Sequence, residues 1–298
     1  MPFKTYLLET RPQFLTLSLV LVILGTSMAF FYGVFHPLHT LLVLIGLLLV
    51  HIAVNTLNDY FDYKSGIDLK TQRTPFSGGS GILVAGELSA KKVFWFGTIS
   101  FILAVPIGVY FIFAVGWFLL PIFVIGTLFV FFYNTYFAKI GFGMPEFSAG
   151  LGMGTLPVLG IHMILIQGFS SSALYATIPS GILVCNLLLL NEFPDVEADK
   201  IGNRKTLPII LGRDKAAVVY SILTLLVYVW ILVGVLLRFM PPFTMISLLT
   251  LPFAFKAISS SFDYADTSKM IPAQGANVMV VLLTQFLLGV GYILARVI

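Results

Sequence analysis

Charge is what this sequence has least of. Asp, Glu, Lys and Arg together make up 10% of its 298 residues, against 58% hydrophobic residues and a mean hydropathy of +1.00. A soluble domain carries about 25% charged residues, so the composition excludes one and leaves a polytopic membrane protein. Cysteine is nearly absent too. The single Cys185 lies inside an apolar run, which rules out a disulfide within the chain and a thiolate metal cage. It reads as a small buried hydrophobe. The net charge of +4 has no basic tract behind it and gives no sign of nucleic-acid binding.

Long apolar runs are what the sequence has instead. A helix needs about 20 apolar residues to cross a bilayer. Such runs predict nine spans, near 13–32, 37–58, 93–113, 116–136, 145–166, 173–193, 216–237, 242–260 and 272–295, in one domain over 1–298. Lys4 and Arg11 before the first run resemble a signal-peptide start, but Phe14 to Phe31 is long for such a core and reads as a retained first span. With nine spans, 15 of the 17 basic residues fall on one side, and only Arg238 and Arg296 on the other. The positive-inside rule places that side in the cytoplasm, as expected for a multi-pass protein of the cell membrane. All 13 acidic residues share it, so the working surface is expected there.

Two acidic stretches stand at the ends of apolar runs. The first is Asn55-Thr-Leu-Asn-Asp-Tyr-Phe-Asp-Tyr-Lys-Ser-Gly-Ile-Asp68; on a helix Asn55, Asn58, Asp59 and Asp62 share a face. The second is Asn191-Glu-Phe-Pro-Asp-Val-Glu-Ala-Asp199, with Asn191, Glu192, Asp195 and Asp199 on one side. Asp62 to Asp199 and Asn58 to Asp195 are both 137 residues apart, the pattern of a parallel duplication. A carboxylate at membrane depth costs on the order of 2.5–3.5 kcal/mol, so two matched faces are poorly explained as simple helix caps. Crowded negative charge calls for something positive between the faces. Magnesium holding a polyphosphate is the most economical filler: it takes one or two carboxylates and completes its shell with water and phosphate oxygens. Asp62 with Asn58, and Asp195 with Asp199, suit that arrangement.

Such metals would clamp the leaving diphosphate of an allylic substrate, and the carbocation left behind would need a dry, aromatic-lined cavity. Basic residues near the acidic faces are candidates for phosphate contacts: Arg73, Lys139, and Arg204 with Lys205. The run Ser77-Gly-Gly-Ser-Gly81 could present backbone N–H groups to phosphate, although Gly/Ser stretches are usually mobile loops. His51, one turn before Asn55, reads as a polar helix contact ahead of a proton acceptor. His162 reads as structural. Pro194 interrupts the sixth span's hydrogen-bond ladder, either aiming Asp195 inward or marking the helix end. An ion-coupled transporter is the rival class, since intramembrane carboxylates also mark cation paths. It predicts acids near mid-bilayer and inverted repeats, whereas these acids sit at helix ends in parallel register.

The pair N-D-Y-F-D-Y-K-S-G-I-D and D-V-E-A-D-K-I-G-N-R-K-T-L-P-I-I-L-G resembles the UbiA superfamily of intramembrane prenyltransferases. The resemblance implies an all-α bundle of nine transmembrane helices. It implies magnesium as cofactor and transfer of a polyprenyl group from an allylic diphosphate to a small aromatic or lipid acceptor. Asp68 in place of an acid at Gly66, and the segment from Tyr133 through Lys139 to Glu146, look like the MenA branch, whose acceptor is 1,4-dihydroxy-2-naphthoate. The resemblance implies metal roles for Asn58, Asp62, Asp195 and Asp199, with Asp59 and Asp68 in support. It assigns diphosphate contacts to Arg73 and Lys139, and the expected substrate set extends to Asn55, Tyr133 and Arg204. Glu192 and Pro194 depart from the branch's N-N-x-R-D lead, beside the metals where an acceptor carboxylate could bind. Within the family, geranylgeranylglyceryl phosphate and 4-hydroxybenzoate are the alternative acceptors.

Overall fold

In a computed structural model, residues 2–264 and 267–298 are described; Ala265 and Asp266, in the expected 261–271 connection, lie outside them. Among the described residues nine helices are long and apolar enough to cross a membrane. They are Pro12–Phe31, Pro37–Ser65, Ala90–Ala114, Trp117–Ile140, Met144–Ile166, Ser171–Ile201, Arg213–Leu236, Pro242–Ser261 and Ser268–Val297. A short helix, Pro2–Glu9, precedes the first span. Successive spans pack side by side and the ninth returns onto the first, closing the bundle. The first span also lies on the fifth, and the sixth on the ninth.

Two spans run on past their apolar stretches. The second continues to Ser65 rather than ending near 58, so Asn55 to Asp62 all lie on one helix. Gly66 then stops it in the left-handed conformation that suits glycine after a helix (φ 85°). The sixth continues to Ile201 rather than ending near 193, and Pro194 sits inside it without ending it. A proline in a helix removes one hydrogen bond and leaves a carbonyl free, and here the turns on either side carry the helix through. The long connection is therefore 66–89 and not 59–92.

The fourth and fifth spans each widen into a π-helical turn, at Tyr133–Phe137 and Leu151–Thr155. Such turns are rare and concentrate at functional sites. The fifth and sixth spans approach through small residues. A Cβ on Gly150 or Gly154 would come within 2.5 Å of the Gly181 or Ser180 carbonyl oxygen. That close approach is the usual route to tight helix packing in lipid, where apolar burial gives no drive. Polar contacts fix the sixth span to the seventh and ninth: Asn186 Nδ2 donates to Tyr220 O, Tyr220 Oη to Asn277 Oδ1, and Asn277 Nδ2 to Asn186 O. His51 Nδ1 meets Ser18 Oγ at 2.9 Å, the helix contact expected of it, between the second and first spans.

Candidate active site

The ends of the second and sixth spans face one another across a cavity of about 250 Å³. Asn55, Asn58, Asp62, Asp68, Tyr133, Asp195, Asp199 and Arg204 all line it, together with Asn191 and Glu192. Two acidic stretches separated by more than a hundred residues thus form one site. What stands between them in the protein alone is Arg204. Its Nη1 is 3.1 Å from Asp199 Oδ1 and its Nη2 pairs with Asp62 Oδ1. Nη2 also donates to Asn134 Oδ1 at 3.0 Å. Burial alone would lower the Arg204 pKa, but Asp62 and Asp199 outweigh it and hold the guanidinium well above its ordinary value. It is a permanent cation.

Asn134 was not singled out from the sequence. Its Oδ1 accepts from both Arg204 and Asn58 Nδ2 (2.8 Å), which ties the fourth span to the second motif and the first. The π-helical turn of Tyr133–Phe137 carries it, and no 3.6-residue periodicity marks such a turn.

The rest of the first motif holds neighbouring backbone. Asn55 Nδ2 donates to Thr10 O at 2.9 Å. Asp59 Oδ2 accepts Ser80 N at 2.7 Å, and its Oδ1 faces Arg11 Nη1 at 3.6 Å. The glycine-rich run lies over these carboxylates: a Cβ at Gly79 (φ 71°) would stand 3.2 Å from both Asp59 Oδ1 and Asp68 Oδ2. Instead of being left for phosphate, the Ser80 N–H is therefore given to Asp59. Burial, with Asp62 and Asp59 close by, pushes the Asp68 carboxyl up to about 8. Glu9, fully buried, accepts Ser80 Oγ at 2.7 Å and is likewise raised to about 8 by burial and Asp59.

Two expected phosphate contacts are not brought to the cavity. Arg73 folds into its own loop, donating from Nε to Gly78 O (3.2 Å) and from Nη2 to the carbonyls of Gly79 and Ser80. It lines a separate cavity with Arg11 and Glu87. Lys139 is exposed at the end of the fourth span and does not line the acidic cavity. Lys205 is exposed as well, and its backbone N–H donates to Ala138 O at 2.9 Å. That contact anchors the segment carrying Arg204.

The second motif keeps its oxygens free. Asn191 Oδ1, both Glu192 oxygens, Asp195 Oδ1 and Asp199 Oδ2 are buried without a hydrogen-bond donor. An all-oxygen set of this kind fits magnesium. Among the described residues no three His, Cys, Asp or Glu side chains cluster tightly enough to hold a metal by themselves. That also fits an ion which draws most of its shell from water and substrate phosphate.

A second cavity of about 440 Å³, almost wholly apolar, adjoins this one among the second to fifth spans. Val50, Gly126, Val130, Gly152 and Met153 form walls of both. A polar seat thus meets an apolar channel, and together they suit an amphiphile with an anionic head and a hydrocarbon tail.

Comparison with known proteins points the same way. The family model described as "UbiA prenyltransferase family" matches residues 18–291. The 1,4-dihydroxy-2-naphthoate octaprenyltransferase of Bacillus subtilis (strain 168) is 29% identical over 287 residues, 96% of this chain and 91% of the relative. The digeranylgeranylglyceryl phosphate synthase of Thermococcus kodakarensis is 26% identical over 77% of this chain and 76% of its own. Among solved structures, a UbiA homolog from Archaeoglobus fulgidus bound to DMAPP and Mg2+ shares the fold with a TM-score of 0.64. It is 16% identical and covers 93% of this chain and 99% of that one.

Proposed function

The chain belongs to the UbiA prenyltransferase family, an enzyme transferring prenyl groups, and from that premise we propose that it prenylates 1,4-dihydroxy-2-naphthoate. The donor is an allylic polyprenyl diphosphate and the site opens on the cytoplasmic face. The meeting of the two acidic helix ends on one cavity, beside an apolar channel, carries the reading. The acceptor follows from the 29% identity across 96% of the chain to a protein of that name. The orientation follows from the basic residues gathered on one side.

Asn58, Asp62, Asp195 and Asp199 are the residues that would hold the metal, and magnesium bound there would supply the positive charge that offsets the charge gathering on the diphosphate as the C–O bond breaks. Arg204 shifts from Asp62 and Asp199 toward the phosphate oxygens, so the site never faces the donor as an uncompensated cluster of acids. Asp59, through Ser80, keeps the glycine loop over the seat, and Asp68 stands beside Gly79. The prenyl tail lies in the apolar channel, whose walls exclude water from the allylic cation. Diphosphate roles for Arg73 and Lys139 rest on the family resemblance alone.

The test is an assay of the purified protein in detergent with magnesium and geranylgeranyl diphosphate. The acceptors are 1,4-dihydroxy-2-naphthoate, 4-hydroxybenzoate and geranylgeranylglyceryl phosphate, with products read by mass. A prenylated, decarboxylated naphthoquinol is the expected product. Product with another acceptor alone overturns the naphthoate assignment, and no diphosphate release from any donor overturns the chemistry.

A further inference from the structure

The apolar channel is not closed on every side. The third and fourth spans approach one another mainly at Trp117–Leu119, where the chain turns between them. Nearer the cytoplasmic end the Phe101 and Phe131 rings meet edge to face, 4.8 Å between centroids, and bridge the two spans again. Between these contacts the channel wall includes Val105 and Val109 on one span and Val124 and Leu128 on the other. Each pair is spaced i, i+4 and so forms one stripe of its helix. All four residues are 42–48% exposed. Side chains that line a cavity and also face outward frame an opening, and at this depth the outside is lipid hydrocarbon.

Two glycines lie in the same stretch with no packing reason to be there. A glycine inside a helix weakens it, and in membrane helices close approach of a neighbour normally offsets that cost, as at Gly150 and Gly154. Gly126, on the fourth span, has no neighbouring atom beyond its own helix within 4 Å of where a Cβ would stand. Gly108, on the third, would meet the Phe123 ring alone, at 4.0 Å. Neither has the positive φ that calls for glycine. Both line the channel, and what they share is the space that a side chain would fill. Gly126 stands at the neck common to the channel and the acidic cavity. Gly108 is deeper. Gly97 on the same span packs against Thr56 of the first motif. Gly108 lies three helical turns beyond it, about 16 Å farther along the axis.

We propose that the gap between the third and fourth spans is a lateral port for the donor's tail, and that Gly108 is the specificity-determining residue for donor length. This rests on the prenyl-transfer reading above. The tail runs from the diphosphate seat along the channel and passes beside Gly108 into the bilayer. A polyprenyl chain longer than the channel is then accepted without being folded up inside it. Continuity identifies the occupant. The channel opens at its neck on the acidic seat and at its side on lipid, so a molecule that fills both has an anionic head and a long hydrocarbon tail. A port of this kind also admits a membrane-borne donor sideways, and its tail never has to leave hydrocarbon.

The test compares the unmodified protein with Gly108→Leu in detergent with magnesium. The donors are geranyl, geranylgeranyl and octaprenyl diphosphate, with the acceptor that the panel above identifies. The added side chain grows into the gap toward Phe123. The variant is expected to lose kcat/KM for octaprenyl diphosphate by about 10–200-fold, the range for a misfitted methylene in an apolar pocket. It keeps the wild-type value for geranyl diphosphate, whose tail ends short of Gly108. Adding Phe123→Ala reopens the gap and restores the long donor, a recovery that general damage to the bundle would not show. An unchanged ratio of octaprenyl to geranyl rates overturns the port. So does an equal fall for both donors, or a double variant that recovers nothing. A second measurement needs no variant. Octaprenyl diphosphate with a bulky aromatic group at its far end is expected to react with the unmodified protein as fast as the plain chain, because that end lies outside the channel. Rejection of the capped chain overturns the proposal. Absence of diphosphate release from every donor overturns the prenyl-transfer reading as well, whereas the other outcomes overturn the port alone.

Discussion

The two acidic motifs have matching spacings but different occupations. In the first, Asn55 holds Thr10, Asn58 holds Asn134, and Asp59 holds Ser80 and faces Arg11. In the second, Asn191, Glu192, Asp195 and Asp199 keep oxygens without donors. One motif is largely structural joinery and the other is largely open valence. Spacing alone makes them equivalent; the difference comes from what each span packs against. The first faces the segment after the Pro2–Glu9 helix and the glycine loop, which give it the Thr10 carbonyl, the Arg11 guanidinium and the Ser80 N–H. The second faces the cavity.

The sharpest way to break this contrast is to remove the residue that joins the two sides. Arg204→Ala strands Asp62 and Asp199 as buried, unpaired carboxylates, and breaking such a pair costs about 3–5 kcal/mol. We expect a large fall in melting temperature in detergent and loss of diphosphate release. Saturating magnesium should recover part of the stability by replacing the missing charge. Asp195→Asn should leave melting almost unchanged, because its free Oδ1 bonds nothing, and cut diphosphate release by about 10²–10³-fold. Asp59→Ala should behave differently. It leaves Ser80 N without an acceptor, costing about 1–3 kcal/mol, and raises donor KM as the loop loosens. A KM equal to wild type would show that the loop does not cover the seat.

A pH series separates the cap from the site. Glu9 is held at about 8 when folded, against 4.5 for an ordinary glutamate. Between those values the folded protein binds more protons than the unfolded one, so stability falls as pH rises through that window. The melting temperature of the wild type should therefore drop from pH 5 to pH 8 relative to Glu9→Gln. Equal slopes for the two proteins would remove Glu9 from the cap. The smallest effect expected is for Ser18→Ala, which removes one partner of His51, a turn before the first motif and outside the acidic cavity. About 1 kcal/mol of stability and no change in transfer are expected.

The sequence made the nine spans and both carboxylate faces legible because apolar length and helical periodicity are local properties. The helix ends were less so: the second and sixth spans outlast their apolar stretches, and Pro194 lies within a helix that its neighbours sustain. Arg204 was expected near phosphate, but its partner Asp62 is 142 residues away and only the fold brings them together. Asn134 escaped notice because a π-helical turn breaks the pattern by which cavity-facing residues are found. Arg73 shows the opposite relation between sequence and fold. It sits near the first motif in sequence, yet its guanidinium is taken up by carbonyls of its own loop and it does not line the acidic cavity.

The π-helical turn of Tyr133–Phe137 also bears on how such a site can be inherited. A widened turn holds a residue more than an α-helical path requires, so deleting one residue there would let the span close into an ordinary helix. The α-helical turns on either side would keep their register, because the widened turn had absorbed the extra residue, and only the residues of the turn itself would be repositioned. Asn134 would then leave Arg204 and Asn58 while every motif residue stayed in place. Single-residue length changes in this short segment are therefore far more damaging than most substitutions, and a lineage that keeps the chemistry has to keep the count.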